Sequence, residues 1–146
     1  MKSLTYACIL SVLMALALGI ASVHAQGNSD STESNIAITE ANFVATSPEK
    51  ENLNDEWIEI ANQGEEDISL EGWTLSDQQN HTYTFPEFVL MAGASVKVHT
   101  GSGDDADEDI YCNRNTPIWN NNGDVATLAD AEGLVVARYP EDNAGA

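Results

Sequence analysis

Hydrophobic and polar positions alternate in short runs along most of the chain after residue 35. Alternation places every second side chain on one face of a strand, whereas an amphipathic helix needs a period of about 3.6 residues. Seven or eight short strands separated by turn residues are typical of an antiparallel β-sandwich, although the pattern alone fits a small barrel or a jelly roll equally well. The predicted strands cover residues 36–44, 57–60, 68–75, 81–85, 95–100, 110–112, 125–129 and 134–139.

The first 25 residues have the features of a cleaved export signal. Lys2 supplies a positive charge, an apolar run follows from Tyr6 to Ile20, and a small-x-small cleavage site ends at Ala25. We therefore expect the mature protein to be secreted or associated with the cell envelope, with no transmembrane anchor after cleavage. The segments expected outside the domain are a signal peptide at residues 1–25, a flexible leader at residues 26–34 and a disordered tail at residues 141–146.

Short motifs follow one another in a characteristic order between Glu56 and Asp130. They are Glu56–Asn62, Leu70–Asp77, Phe85-Pro86, Gly93, Thr100-Gly101, Trp119–Asp124 and Leu128–Asp130. In order and spacing this set resembles the lamin-tail domain, a family found in nuclear lamins and in many secreted bacterial and archaeal proteins. The resemblance covers residues 35–140, and it implies an all-β, immunoglobulin-like antiparallel β-sandwich.

The same resemblance implies a non-catalytic binding or structural module. Relatives of this kind are often appended to secreted nucleases, phosphatases and adhesin-like chains, which suggests a docking role. Another protein, a glycan or an envelope surface is the expected partner, and we expect a monomer. The chain contains no nucleophile-elbow motif, no Gly-rich phosphate loop and no spacing typical of a catalytic triad, so we expect no enzyme activity.

The charge balance is strongly acidic. The chain has 24 Asp and Glu residues against 5 Lys and Arg residues, a formal net charge of −19. Removal of residues 1–25 takes away Lys2 and no acidic residue, which changes this charge to −20. Such a surface repels polyanions, so direct nucleic-acid binding is disfavoured. Solubility in a salty medium and a cation-binding surface both remain consistent with the charge.

An acidic loop at residues 104–109 is the sharpest candidate for chemistry. Hard cations need several oxygen ligands from a flexible loop, and the carboxylates of Asp104, Asp105, Asp107 and Asp109 are a candidate calcium site. A solvated loop without a ligand is the alternative, since the spacing does not match an EF-hand. A small metal-assisted secreted hydrolase, or a calcium-binding surface protein that uses this loop, is the alternative function.

Other distinctive residues are expected to serve the fold. Trp57, Trp73 and Trp119 lie beside apolar residues, which predicts core packing, although exposed aromatics can also form a sugar-binding platform. Residues 120–124 predict a rigid turn, with a ligand role for Asp124 as the alternative.

Three further residue types carry weaker signals. Cys112 is the lone cysteine after signal cleavage, so no intrachain disulfide is expected and burial is its expected state. His81 and His99 lie in predicted strands without zinc-ligand spacing. Asn80-His81-Thr82 is a glycosylation sequon on a predicted turn.

Overall fold

A computed structural model describes residues 35–141, and these form ten β-strands with two single-turn 3-10 helices. The predicted signal peptide, the leader and all but Glu141 of the predicted tail lie outside the described residues. The strands are β1 (Ile36–Asn42), β2 (Trp57–Asn62), β3 (Ile68–Ser69), β4 (Thr74–Ser76), β5 (Thr82–Thr84), β6 (Val89–Leu90), β7 (Ser95–His99), β8 (Asp109–Tyr111), β9 (Ala126–Ala129) and β10 (Val135–Tyr139). The helices are η1 (Glu49–Glu51) and η2 (Leu53–Asp55).

The first sheet has the strand order β1-β2-β7-β8. The alternation predicted from the sequence is present in β7, where Val96 and Val98 are buried and Ser95, Lys97 and His99 are half-buried. β8 runs parallel to β7, in contrast to the other pairs in this sheet. The acidic loop causes this difference, because it returns the chain to the level of Lys97, whose N–H donates to the carbonyl of Glu108 at 2.9 Å.

The second sheet is antiparallel, with the order β10-β9-β4-β5, and β3 and β6 form a separate two-stranded ribbon. The single strand expected at residues 68–75 is in fact two strands, β3 and β4. A turn separates them, with the N–H of Trp73 donating to the carbonyl of Leu70 at 2.9 Å and Gly72 at a φ of 77°. Since that φ favours glycine, this turn redirects the chain from the ribbon into the second sheet.

An apolar core holds the structure together, as expected for an immunoglobulin-like β-sandwich. Trp119 belongs to it with 7% exposure, and Trp73 packs against it from the side. Trp57 is different: it points to the outer face of the first sheet, with the Lys97 ammonium 3.9 Å from its ring centroid. Core packing was therefore the wrong prediction for Trp57. Core residues include Ile38, Ile58, Ile60, Leu75, Phe85, Val96, Val98, Ile110 and Leu128.

Candidate functional site

The acidic loop folds against the outer edge of β8. The carboxylate of Asp105 accepts the N–H of Tyr111 at 2.9 Å, and the N–H of Ala106 donates to the carbonyl of Asp109 at 2.8 Å. Unpaired strand edges are templates for aggregation. The loop therefore occupies hydrogen-bonding positions that an edge strand would otherwise present to solvent.

The side chain of Asp109, at the end of the acidic loop, contacts the imidazole of His99. Its Oδ1 lies 2.7 Å from Nε2 of His99, and Nδ1 of His99 lies 2.8 Å from the carbonyl oxygen of Asn54. The imidazole also stacks on the Tyr111 ring, with centroids 5.1 Å apart. Both partners of the ring nitrogens are acceptors, so both contacts become hydrogen bonds when each nitrogen carries a hydrogen. His99 thus joins η2, β7 and β8.

The four carboxylates proposed for calcium are placed differently from one another. Asp105 and Asp109 take part in the hydrogen bonds above, whereas Asp104 and Asp107 are exposed. Within residues 35–141, no three His, Cys, Asp or Glu side chains lie close enough to hold a metal ion together. Calcium binding by this loop, and a hydrolase that depends on it, remain predictions.

An open groove of about 870 Å³ lies beside the loop. Its apolar part comes from β6 and its neighbours, where Phe88 is half-buried, Val89 is 51% exposed and Met91 is 56% exposed. Its charged part comes from Glu87, the acidic loop and the outer face of the first sheet. There the register sets Glu59, Lys97 and Asp109 side by side on β2, β7 and β8. We name this feature the β6–β8 groove; its remaining charged lining residues are Asp107 and Glu108.

The pattern of hydrophobic and polar residues in the sequence did not predict the β6–β8 groove. Residues 88–91 form an apolar run after Pro86, and no strand is predicted between residues 85 and 95. A signal for an exposed apolar side chain was present in the sequence. Successive side chains of a β-strand point to opposite faces, so two consecutive apolar residues cannot both face the core. Leu90 is buried in β6 and Val89 is therefore presented outward.

A second groove, of about 730 Å³, lies at another part of the surface. It contains the half-buried Ile68 and Trp73 together with Leu134, which is 69% exposed. Glu65 and Glu66 line it as well. It has fewer carboxylates than the β6–β8 groove, and it provides a matched comparison surface.

The turn at residues 120–124 is a structural corner, as predicted. The carboxylate of buried Asp124 accepts three backbone N–H groups, those of Asn120 at 3.0 Å, Gln78 at 3.1 Å and Val125 at 2.8 Å. One side chain thereby connects this turn to the turn between β4 and β5 and to the start of β9. Both of its oxygens accept backbone N–H groups, which supports the structural role over a ligand role.

Comparison with protein families assigns this architecture. The lamin tail domain model matches residues 29–142. The chain belongs to the lamin tail domain family. No curated protein matches it. The family is one of immunoglobulin-like domains without catalytic activity, so membership fits a binding or structural module.

The lamin tail domain also contains a buried carboxylate that sequence analysis did not single out. Glu56 is fully buried between η2 and β2, and its Oε2 accepts the N–H of Ile118 at 3.1 Å. Burial raises the pKa of Glu56, and the Ile118 N–H and the nearby Thr100 hydroxyl offset part of the rise. Within residues 35–141, neither Oε1 of Glu56 nor the Thr100 hydroxyl oxygen has a hydrogen-bond partner of standard geometry.

This raised pKa predicts a pH-dependent stability. The folded state holds the Glu56 proton more tightly than the unfolded state does, so its contribution is present below pH 4.5 and is lost as the pH rises through the folded pKa. We expect Glu56→Gln to gain stability relative to the wild type as the pH rises above 4.5. Urea unfolding of both proteins from about pH 2.5 to about pH 8 measures this difference.

Asp55→Asn is the matched control for the pH series. Hydrogen bonds from Thr46 lower the pKa of Asp55, so its contribution is present above pH 3.8 and is lost as the pH falls through the folded pKa. Its pH dependence should thus have the opposite sign. A difference between wild type and Glu56→Gln that stays constant with pH would contradict the role of burial.

Three minor candidates have clear positions in the lamin tail domain. Cys112 is half-buried, and burial raises the pKa of its thiol to about 12, so the thiolate is disfavoured. Asn80 is exposed on a turn with a φ of 66°, where its glycosylation stays a prediction. His81 contacts the buried Asp77 carboxylate at 2.6 Å. Among residues 35–141, no helix is long and apolar enough to cross a membrane.

Proposed function

We propose that this lamin tail domain is an exported, non-catalytic binding module that docks a partner protein outside the cytoplasm or at the cell envelope. The observation that carries the proposal is the exposed apolar part of the β6–β8 groove. Contiguous exposed apolar surface on a folded domain marks interaction sites. The signal-like features of residues 1–25 support export.

The contacts of His99 favour binding over hydrolysis. In a histidine that activates a nucleophile, one ring nitrogen forms a hydrogen bond with an orienting group and the other forms a hydrogen bond with the nucleophile. Here Asp109 takes one nitrogen, and the backbone carbonyl of Asn54 takes the other. The arrangement joins three structural elements and leaves no ring nitrogen for a nucleophile.

Site-specific cross-linking in the source organism tests the binding role. A photo-crosslinking residue in place of Val89 is expected to join the protein to a discrete partner, because that position is exposed in the groove. The same residue in place of Glu71, which is exposed outside both grooves, is the control. A partner captured at both positions, or at neither, would contradict docking through the groove.

Export has its own measurement on the same material. Expression of the full chain should yield, outside the cytoplasm, a mature form that begins at Gln26. Intact-mass analysis of the exported and cytoplasmic fractions distinguishes this form from the full chain. Full-length protein confined to the cytoplasm would contradict export and leave the groove experiment unaffected.

A further inference from the structure

We propose that the β6–β8 groove binds an extended cationic segment of a partner protein, in which lysine or arginine residues neighbour apolar residues. The inference rests on the proposed binding function and names the chemistry of the partner. Its starting point is shape: the groove is open, has a volume of about 870 Å³, and combines an apolar part with a charged part.

The apolar part of the groove calls for apolar side chains on the partner. Val89 and Met91 expose about half of their surface although they flank Leu90, which is 1% exposed. Covering such side chains favours a complex, because apolar surface is removed from water. Methionine side chains also adapt their shape to different partners. A purely hydrophilic ligand would leave this contribution unused.

The charged part of the groove calls for cations. Glu87, Asp107 and Glu108 are exposed there, and none of the three takes part in the ion pairs of His81 with Asp77 or of His99 with Asp109. The lysine of the groove, Lys97, has its ammonium over the Trp57 ring. The three exposed carboxylates therefore have no ion-pair partner in the described part of the chain.

Charge complementarity selects between possible occupants. A second copy of this chain would bring a formal net charge of −19 toward an acidic groove, and a nucleic acid would bring phosphates. Both are repelled. A cationic segment is attracted at long range and gains ion pairs partly shielded from water, so its association should be fast and sensitive to salt.

Fluorescence anisotropy with a labelled peptide that alternates lysine and leucine tests the proposal on residues 26–146. Peptides that alternate glutamate with leucine, and lysine with serine, separate the charge contribution from the apolar contribution. We expect the lysine–leucine peptide to bind most tightly and to weaken as sodium chloride is raised. Absence of binding would overturn the proposal, and equal affinity for the lysine–serine peptide would overturn its apolar contribution.

Two groove variants locate the binding. The triple variant Glu87→Gln, Asp107→Asn, Glu108→Gln and the single variant Met91→Ser should each weaken binding about tenfold or more. All four side chains are exposed, so unchanged unfolding midpoints should confirm folding. The controls are Leu134→Ser and the pair Glu65→Gln, Glu66→Gln in the second groove. Equal losses in the groove variants and the controls would mean non-specific attraction and overturn the proposal.

Competition with calcium distinguishes a metal site from a peptide-binding groove. If calcium displaces the peptide far beyond sodium chloride of matched ionic strength, the groove is a metal site and the peptide assignment fails. Equal displacement by both salts supports screening of a peptide-binding groove. Failure in these assays with retained cross-linking at Val89 would reject the cationic partner and keep the docking function. Loss of both would reject the docking function as well.

Discussion

Asp124→Ala is expected to lower the free energy of unfolding by about 3–5 kcal/mol, enough to unfold much of a marginally stable domain. The carboxylate accepts three backbone N–H groups and is 6% exposed. A hydrogen bond to a charged group contributes about 1.5–3 kcal/mol, and a buried donor left without a partner costs a further penalty. Alanine removes the acceptor for all three donors at once.

Urea unfolding followed by tryptophan fluorescence measures this loss. Asp124→Asn is the graded comparison, because it keeps one carbonyl oxygen and places an NH2 group against donors, so an intermediate loss is expected. Asp104→Ala, at an exposed position, should change stability by at most about 0.5 kcal/mol. A loss of about 1 kcal/mol or less for Asp124→Ala would show that water replaces the carboxylate without cost.

The sandwich could be predicted from the sequence because its strong signals are local. Alternation in β2 and β7 reports which face each residue takes, and Gly133 marks the closing turn. The division of residues 68–75 was missed because the pattern permits a bulge and a turn at Gly72 alike. The division is decided by the pairing of β3 with β6 and of β4 with β9, which join residues far apart in the chain.

The candidate site was less predictable for the same physical reason. The acidic loop stood out in the sequence, but its geometry depends on the parallel pairing of β8 with β7 and on the contact between Asp109 and His99, which no local pattern indicates. The β6–β8 groove combines residues 87–91 with residues 107–109 and three positions of the first sheet. A local motif can identify none of these combinations, because the register of β7 against β2 and β8 brings them together.

The tryptophans give the second large prediction, since the same sequence context leads to different environments. Trp119→Ala is expected to cost about 3–5 kcal/mol, the usual loss when a large aromatic side chain leaves a cavity in a core. The Trp119 ring is 7% exposed and its centroid lies 5.3 Å from that of Phe43. Trp57→Ala should cost less than about half as much, because Trp57 lies on the outer face and solvent can fill its place.

Far-ultraviolet circular dichroism in urea measures both variants without relying on tryptophan emission. Trp119→Phe should recover part of the loss, since a phenyl ring fills part of the cavity and retains an aromatic contact with Phe43. Trp57→Ala has a further expected effect, because it frees the Lys97 ammonium from its ring contact. The released ammonium can then neutralise a carboxylate of the β6–β8 groove, which should lower the affinity of the groove for the lysine–leucine peptide. Equal destabilisation by the two alanine variants would contradict the separation of core from outer face.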